Sequence, residues 1–256
     1  MISGEIRWHR LRDEIAQAWT VAVKDIRVYY FTPPMVMFGV LLPFFLFFSF
    51  SVQRQGTIQA SVGRLLAMNV FFTASSAGPV IIPLERRMGT YDRLLVAPMS
   101  LLTLLLGKTA VGTFFALLVS VISSLVGSVW LGAAIQSPLL LLSALFLSSM
   151  TFAALGLVFG SIPAQSVGSI MMPSTLVRWP LLFISGVFVP LEEMSPWLRA
   201  LSYLSPLTFA QDLIGQAVSG RGHFPAALDL VVLALFVPPF LLISAWLHKR
   251  SRLLGL

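Results

Sequence analysis

Apolar residues in this chain run in long unbroken stretches instead of alternating with polar ones. Six stretches, at about residues 34–52, 64–84, 101–130, 138–160, 168–190 and 228–247, carry few or no ionised side chains. A helix rises about 1.5 Å per residue, so roughly 20 residues cross a hydrocarbon core of about 30 Å. The pattern therefore predicts an all-α membrane protein with six transmembrane helices in one domain over residues 34–248. Long core helices of a soluble protein would need polar outer faces, and these stretches have none.

The period changes at the flanks. Trp8, Leu11, Ile15, Trp19, Ala22, Ile26 and Tyr29 recur every three or four positions, while Arg7, Arg10, Asp13, Glu14, Gln17, Lys24 and Asp25 fall mostly on the other side. Residues 1–33 thus predict an amphipathic helix lying in the membrane interface; a helix packed on a partner subunit has the same stripe. Pro33-Pro34 ends it and turns the chain into the membrane. After the fifth stretch, Pro190-Leu191-Glu192-Glu193-Met194-Ser195-Pro196-Trp197-Leu198 and Leu204-Ser205-Pro206-Leu207-Thr208 are too polar to span and too apolar for a disordered loop. They predict short helices lying in or re-entering the outer leaflet, with Trp197 and Tyr203 at interfacial depth.

Composition sharpens this picture. The chain is 57% hydrophobic and 11% charged, with a net charge of +7, and its mean hydropathy is +0.89. The cations flank the spans instead of forming one patch, which excludes a nucleic-acid surface. Arg7, Arg10, Arg12, Lys24 and Arg27 precede the first span; Arg86, Arg87 and Arg93 lie between the second and third; Lys249, Arg250 and Arg252 open a basic tail over residues 249–256. Positive-inside bias makes that side cytoplasmic, with both termini there. No cysteine is present, so thiolate metal sites and disulfides are excluded. No cleavable signal pattern precedes the first span, which is expected to stay in the mature protein.

Candidate chemistry is sparse. Gly107-Lys108-Thr109 lacks the earlier glycine of a phosphate loop, since Leu102 stands there. His9, His223 and His248 lie far apart, and adjacent Glu192 and Glu193 point to different sides of a helix. No catalytic, metal or cofactor residue is assigned, and the chain is not expected to be an enzyme. Arg178 is the ionised residue well inside a span, a functional candidate by that fact alone. The third and fourth spans carry small residues, including Gly156-x-x-x-Gly160, that let helices approach closely.

The densest charge outside the termini is the island Leu84-Glu85-Arg86-Arg87-Met88-Gly89-Thr90-Tyr91-Asp92-Arg93-Leu94-Leu95-Val96-Ala97-Pro98-Met99-Ser100. Tyr91, Leu94, Leu95 and Pro98 give a short helix one apolar face. Thr90 is a candidate N-cap, Asp92 suits the first turn, Pro98 stops the helix and Ser100 caps the third span. The reading is a two-turn helix across the cytoplasmic ends of two spans, within a loop of residues 85–100.

The pattern Glu85-Arg86-Arg87-x-Gly89-Thr90-x-x-x-Leu94-Leu95-x-x-Pro98-x-Ser100, followed by Gly107-Lys108, resembles the cytoplasmic loop of type 2 ABC transporter permeases. Lys24-Asp25-Ile26-Arg27 with Pro33-Pro34 looks like that family's elbow, and Ser185-Gly186-Val187-Phe188-Val189-Pro190-Leu191 is similar to its fifth-span ending. The drug-export branch typified by daunorubicin-resistance permeases is the most similar. Arg178-Trp179-Pro180 departs from the family's pattern, where uncharged residues are expected.

The resemblance implies the membrane subunit of an ATP-driven exporter of a drug, lipid or other amphiphile. It implies a second permease copy as homodimer partner and two copies of a separate ATP-binding subunit that holds the ATP and magnesium, in contact with membrane lipid and no nucleic acid. Glu85, Arg86, Arg87, Gly89, Thr90, Tyr91, Asp92, Leu94 and Leu95 become the expected ATPase-coupling residues, and Arg178 and Asn69 the expected substrate pathway. A stand-alone secondary carrier or channel is the alternative.

Overall fold

The computed structural model describes residues 14, 16–27, 33–42, 44–45, 58–91, 94, 99–130, 132–163 and 166–253. Among them every regular element is helical. Helix α1 covers residues 16–27. A short α2, Pro33–Val36, continues into a wide turn, Met37–Leu41. The long helices are α3 (Ile58–Arg87), α4 (Leu101–Trp130), α5 (Pro138–Gly160), α6 (Val167–Ile184) and α9 (Ala226–Leu253). Between the last two lie a 3-10 turn, Leu191–Glu193, then α7 (Pro196–Ser202) and α8 (Pro206–Ser219).

Five helices among the described residues are long and apolar enough to cross a membrane: α3, α4, α5, α6 and the Ala226–Arg250 part of α9. The stretch expected at 34–52 lies partly outside the described residues. The protein is an integral, multi-pass helical membrane protein.

Helix α3 forms the axis. Its apolar stretch is wholly buried, and α4, α5, α6 and α8 pack around it. Its middle is Ala74-Ser75-Ser76-Ala77-Gly78, small enough for backbone-to-backbone packing. Helix α5 answers with Gly156 and Gly160. A methyl group on Gly156 would stand 2.6 Å from the Ser75 carbonyl oxygen, and one on Gly160 2.6 Å from that of Gly78. The Gly-x-x-x-Gly pair is thus a working contact, set beside an aromatic layer in which Phe71 meets Phe152 edge-on with ring centroids 5.0 Å apart.

Helices α3 and α6 differ from the sequence expectation at their ends. Helix α3 begins at Ile58, not 64, and carries through Glu85-Arg86-Arg87 instead of ending at 84. Those residues favour helix, and Arg86 and Arg87 suit its C-terminal dipole. It stops at Gly89, whose φ of 65° places it in the left-handed region that glycine adopts freely. Helix α6 ends at Ile184 rather than 190, with Gly186 at φ 88° turning the chain.

The amphipathic stripe of the N-terminal segment is revised at Asp25. Trp19 points outward, 68% exposed, while Val21, Ala22 and Asp25 are buried. Asp25 had been assigned to the polar side; it faces inward because cations await it there, as described below. Trp8, Leu11, Ile15 and Tyr29 lie outside the described residues.

The segment after α6 matches its reading as short helices. Exposed Trp197 sits on α7, and α8 packs Leu207, Ala210, Leu213, Ile214 and Ala217 fully into the bundle against α3 and α5. Ser205 caps α8, Pro206 opens it, and Gly220 at φ 73° closes it. Asp212 then accepts the backbone N–H groups of His223 (2.7 Å) and Phe224 (2.8 Å), fixing the turn into α9.

Candidate functional site

The end of the bundle where α3 finishes gathers four charged side chains from three elements. Lys24 and Asp25 come from α1, Glu85 from the last turn of α3, and Lys108 from the second turn of α4. Lys108 Nζ donates to Glu85 Oε2 (2.6 Å) and to Asp25 Oδ2 (3.1 Å). Lys24 Nζ lies 2.7 Å from Asp25 Oδ1 and also pairs with Glu85 Oε1. Two ammonium groups and two carboxylates therefore close a neutral ring. Asp25 and Glu85 are fully buried and Lys108 nearly so; Lys24 alone reaches solvent.

Gly107 makes this ring possible. A methyl group there would stand 2.8 Å from the Ala18 carbonyl oxygen and 3.3 Å from Val21 Cβ. Because Gly107 has no side chain, α1 can lie directly on α4, which brings Asp25 onto Lys108. Burial pulls the Lys24 ammonium down, but the carboxylates of Asp25 and then Glu85 outweigh it and hold it above the usual lysine value. Its contribution is therefore complete below the ordinary lysine range and is lost only as pH rises beyond it. Breaking such a buried pair by removing one partner typically costs about 3–5 kcal/mol, because the other charge is stranded.

The remaining island residues extend the attachment. Arg86 Nη1 donates to the Ile162 carbonyl (2.8 Å) in the turn after α5, and its guanidinium carbon lies 5.2 Å from the Tyr91 ring centroid. Tyr91 is buried with its ring 5.8 Å from that of His248 on α9, within an apolar cluster that includes Ile82, Leu105, Leu157 and Leu241. Thr90 Oγ1 donates back to the Glu85 carbonyl (3.2 Å), a bond that closes α3. Ser100 Oγ accepts the Thr103 N–H (3.0 Å) and caps α4 as expected. Arg87, Met88 and Gly89 form the exposed tip, and Leu94 is half-buried. Asp92 and Leu95 lie outside the described residues.

Asn69 and Arg178 belong elsewhere. Asn69 is buried in α3 and donates through Nδ2 to Ser123 Oγ on α4 (2.8 Å). Arg178 is fully buried between α6, α3 and α5, its guanidinium carbon 5.8 Å from the Phe159 ring centroid. Separately, a cleft of about 390 Å³ runs between α4 and α5, walled by Leu106, Phe114, Leu117, Phe146 and Met150. Its Thr109 and Thr113 hydroxyls already donate along their own helix (2.9 and 2.8 Å), leaving the wall hydrocarbon in character.

Sequence reasoning singled out Glu85 but not its partners. Lys108 entered within the incomplete phosphate-loop motif and the family pattern, although its place eight residues into α4 marks it as a charge that must be paired. Lys24 and Asp25 entered as polar-face residues of the N-terminal stripe and through the resemblance, with no partner assigned to either.

The sequence profile described as "ABC-2 type transporter" matches residues 16–217. Nodulation protein J of Neorhizobium galegae is 28% identical over 162 residues, 63% of this chain and 62% of that protein. The inner membrane transport permease YadH of Escherichia coli (strain K12) is 26% identical over 161 residues, again 63% and 62%. The probable multidrug ABC transporter permease YbhR of the same strain is 28% identical over 188 residues, 72% of this chain and 48% of that protein. The matches thus span less than two thirds of each relative. With the profile covering most of the helical bundle and the island at its charged end, the chain belongs to the ABC-2 type transporter family.

Proposed function

We propose that this chain is the membrane permease subunit of an ABC exporter, driven by ATP hydrolysis in a separate subunit. The observation that carries the reading is the attachment of the exposed tip Arg87-Met88-Gly89. Through Glu85 it is tied to α1 and α4, through Arg86 to the turn after α5, and through Tyr91 to α9. A push on this tip reaches four other parts of the bundle at once. Rigid-body tilting of packed helices is a general route to alternating access.

The residues from Glu85 to Leu95 are the coupling element, with Arg87, Met88 and Gly89 as the touching surface and Glu85 as the anchor behind it. Six spans, counting 34–52, put both termini and the tip in the cytoplasm, as the distribution of cations supports. Residues 16–27 act as the elbow helix. The assembly is a permease homodimer on two ATP-binding subunits, which hold ATP and magnesium; this chain binds neither. Cargo is an amphiphile, a drug or lipid, and the chain sits in the drug-export branch; the printed name of YbhR, a probable multidrug permease, supports this reading. The hydrocarbon cleft between α4 and α5 supports contact with lipid acyl chains.

The test is purification in mild detergent with a P-loop ATPase subunit co-expressed and tagged. Co-purification is expected, and Gly89→Pro is expected to lower transport per ATP hydrolysed while leaving insertion intact. A chain that transports in vesicles without any ATPase would establish the stand-alone carrier instead.

A further inference from the structure

Arg178 has no role in the coupling ring, yet it is a fully buried guanidinium in a membrane helix. Its partners explain why it is there. Proline has no N–H, so a proline inside a helix strips the carbonyl four residues earlier of its donor. Helix α3 contains Pro79, and four residues earlier stands Ser75. Arg178 Nη2 donates to the Ser75 carbonyl oxygen at 2.9 Å. Nη1 donates to Ser76 Oγ (3.1 Å), and Nη2 also reaches Ser174 Oγ one turn back on α6 (3.2 Å). Gly156 of α5 closes over the same carbonyl, since a methyl group there would stand 2.6 Å from it. Among the described residues no carboxylate pairs with Arg178. Its charge rests on a carbonyl, two hydroxyls and the Phe159 ring.

We propose that Arg178 is a positioning residue that supplies, from α6, the hydrogen bond Pro79 removes from α3, and so sets the bend of α3 at that notch. The guanidinium suits this task because its planar fork holds Nη1 and Nη2 in fixed geometry toward Ser76 and Ser75, where a lysine offers one flexible nitrogen. The notch lies six residues before Glu85, or about 9 Å along the helix. The bend therefore aims the last turns of α3, and α6 is tied to the segment that carries the tip. That last step rests on the coupling reading; the hydrogen-bond replacement does not.

The chain has no cysteine, so paired spin labels can be placed on Ile58→Cys and Arg87→Cys, exposed positions at the two ends of α3. The labels sit roughly 44 Å apart along the helix, within reach of pulsed electron resonance. Labelled chain is diluted with unlabelled chain to suppress contacts between copies. Arg178→Met is expected to broaden the distance distribution and lower Tm in detergent by about 5 °C or more. Adding Pro79→Ala returns an N–H to Ser75, so the double variant is expected to regain a narrow distribution and most of the lost Tm.

If Arg178→Met does not insert, Arg178→Lys with and without Pro79→Ala gives the same comparison at smaller amplitude. No recovery on adding Pro79→Ala overturns the proposal. So does an unchanged distribution in Arg178→Met accompanied by lost transport, which makes Arg178 a substrate contact. Neither label measurement needs an ATPase, so failure of the coupling reading leaves it intact.

Discussion

Lys108 and Arg178 are both cations buried in membrane-spanning helices, and the protein neutralises them in opposite ways. Lys108 meets two carboxylates, each also held by Lys24, in a closed ring of alternating charge. Arg178 meets only neutral acceptors and a ring face. Removing Lys108 strands two anions beside a half-solvated lysine, whereas removing Arg178 strands one carbonyl and takes a donor from two hydroxyls, of which Ser174 still donates to the Met171 carbonyl. The first site binds three separate elements at the end of the bundle, while the second repairs the backbone of one helix near its middle. Charge pairing holds the end of the bundle together, and hydrogen-bond replacement shapes its axis.

The comparison can be broken most directly at Lys108. Lys108→Met is expected to destabilise the chain by about 3–5 kcal/mol, measured as loss of monodisperse protein on heating in detergent. Asp25→Asn added to it restores the balance of one cation and one anion and is expected to recover part of that loss; additive losses would dissolve the ring into independent pairs. Arg178→Met is expected to cost less, about 1–3 kcal/mol, the range for one buried acceptor left without its donor. Its loss, unlike that of Lys108, is recovered by replacing a proline, in Pro79→Ala.

Gly107→Leu tests whether the ring depends on backbone contact. The added side chain meets the Ala18 carbonyl, and a loss of about 1–3 kcal/mol is expected, with faster proteolysis of α1. Asn69→Leu removes one interhelical hydrogen bond and is expected to change stability by less than about 1 kcal/mol. Arg87→Ala, on the exposed tip, is expected within about 0.5 kcal/mol of the parent while lowering ATP-coupled transport. A large stability loss there would mean that the tip is structural.

Five of the six expected spans, in their order, were legible because roughly 20 apolar residues without charge have few other structural meanings; the stretch at 34–52 lies partly outside the described residues. The ends of α3 were not, since Glu85 looks like a loop residue until Lys24 and Lys108 are seen to neutralise it. The orientation of α1 was misread for the same reason: a periodic stripe assigns Asp25 to solvent, and only distant Lys108 draws it inward. Arg178 was conspicuous from the start, but its partner is a backbone carbonyl that no side-chain pattern announces. Pro79 was the available signal, because each proline inside a span names the carbonyl four residues earlier as one that needs a donor.

The proposed coupling role meets its sharpest test in site-specific cross-linking from the tip. Met88→Cys in the naturally cysteine-free chain, treated with a short bifunctional reagent in native membranes, is expected to yield an adduct that mass spectrometry identifies as a P-loop ATPase. Trp197→Cys, exposed on α7, is expected to yield none. No adduct from Met88→Cys, or the same adduct from both positions, would contradict the assignment of the Glu85–Leu95 segment as the place where an ATPase engages this permease.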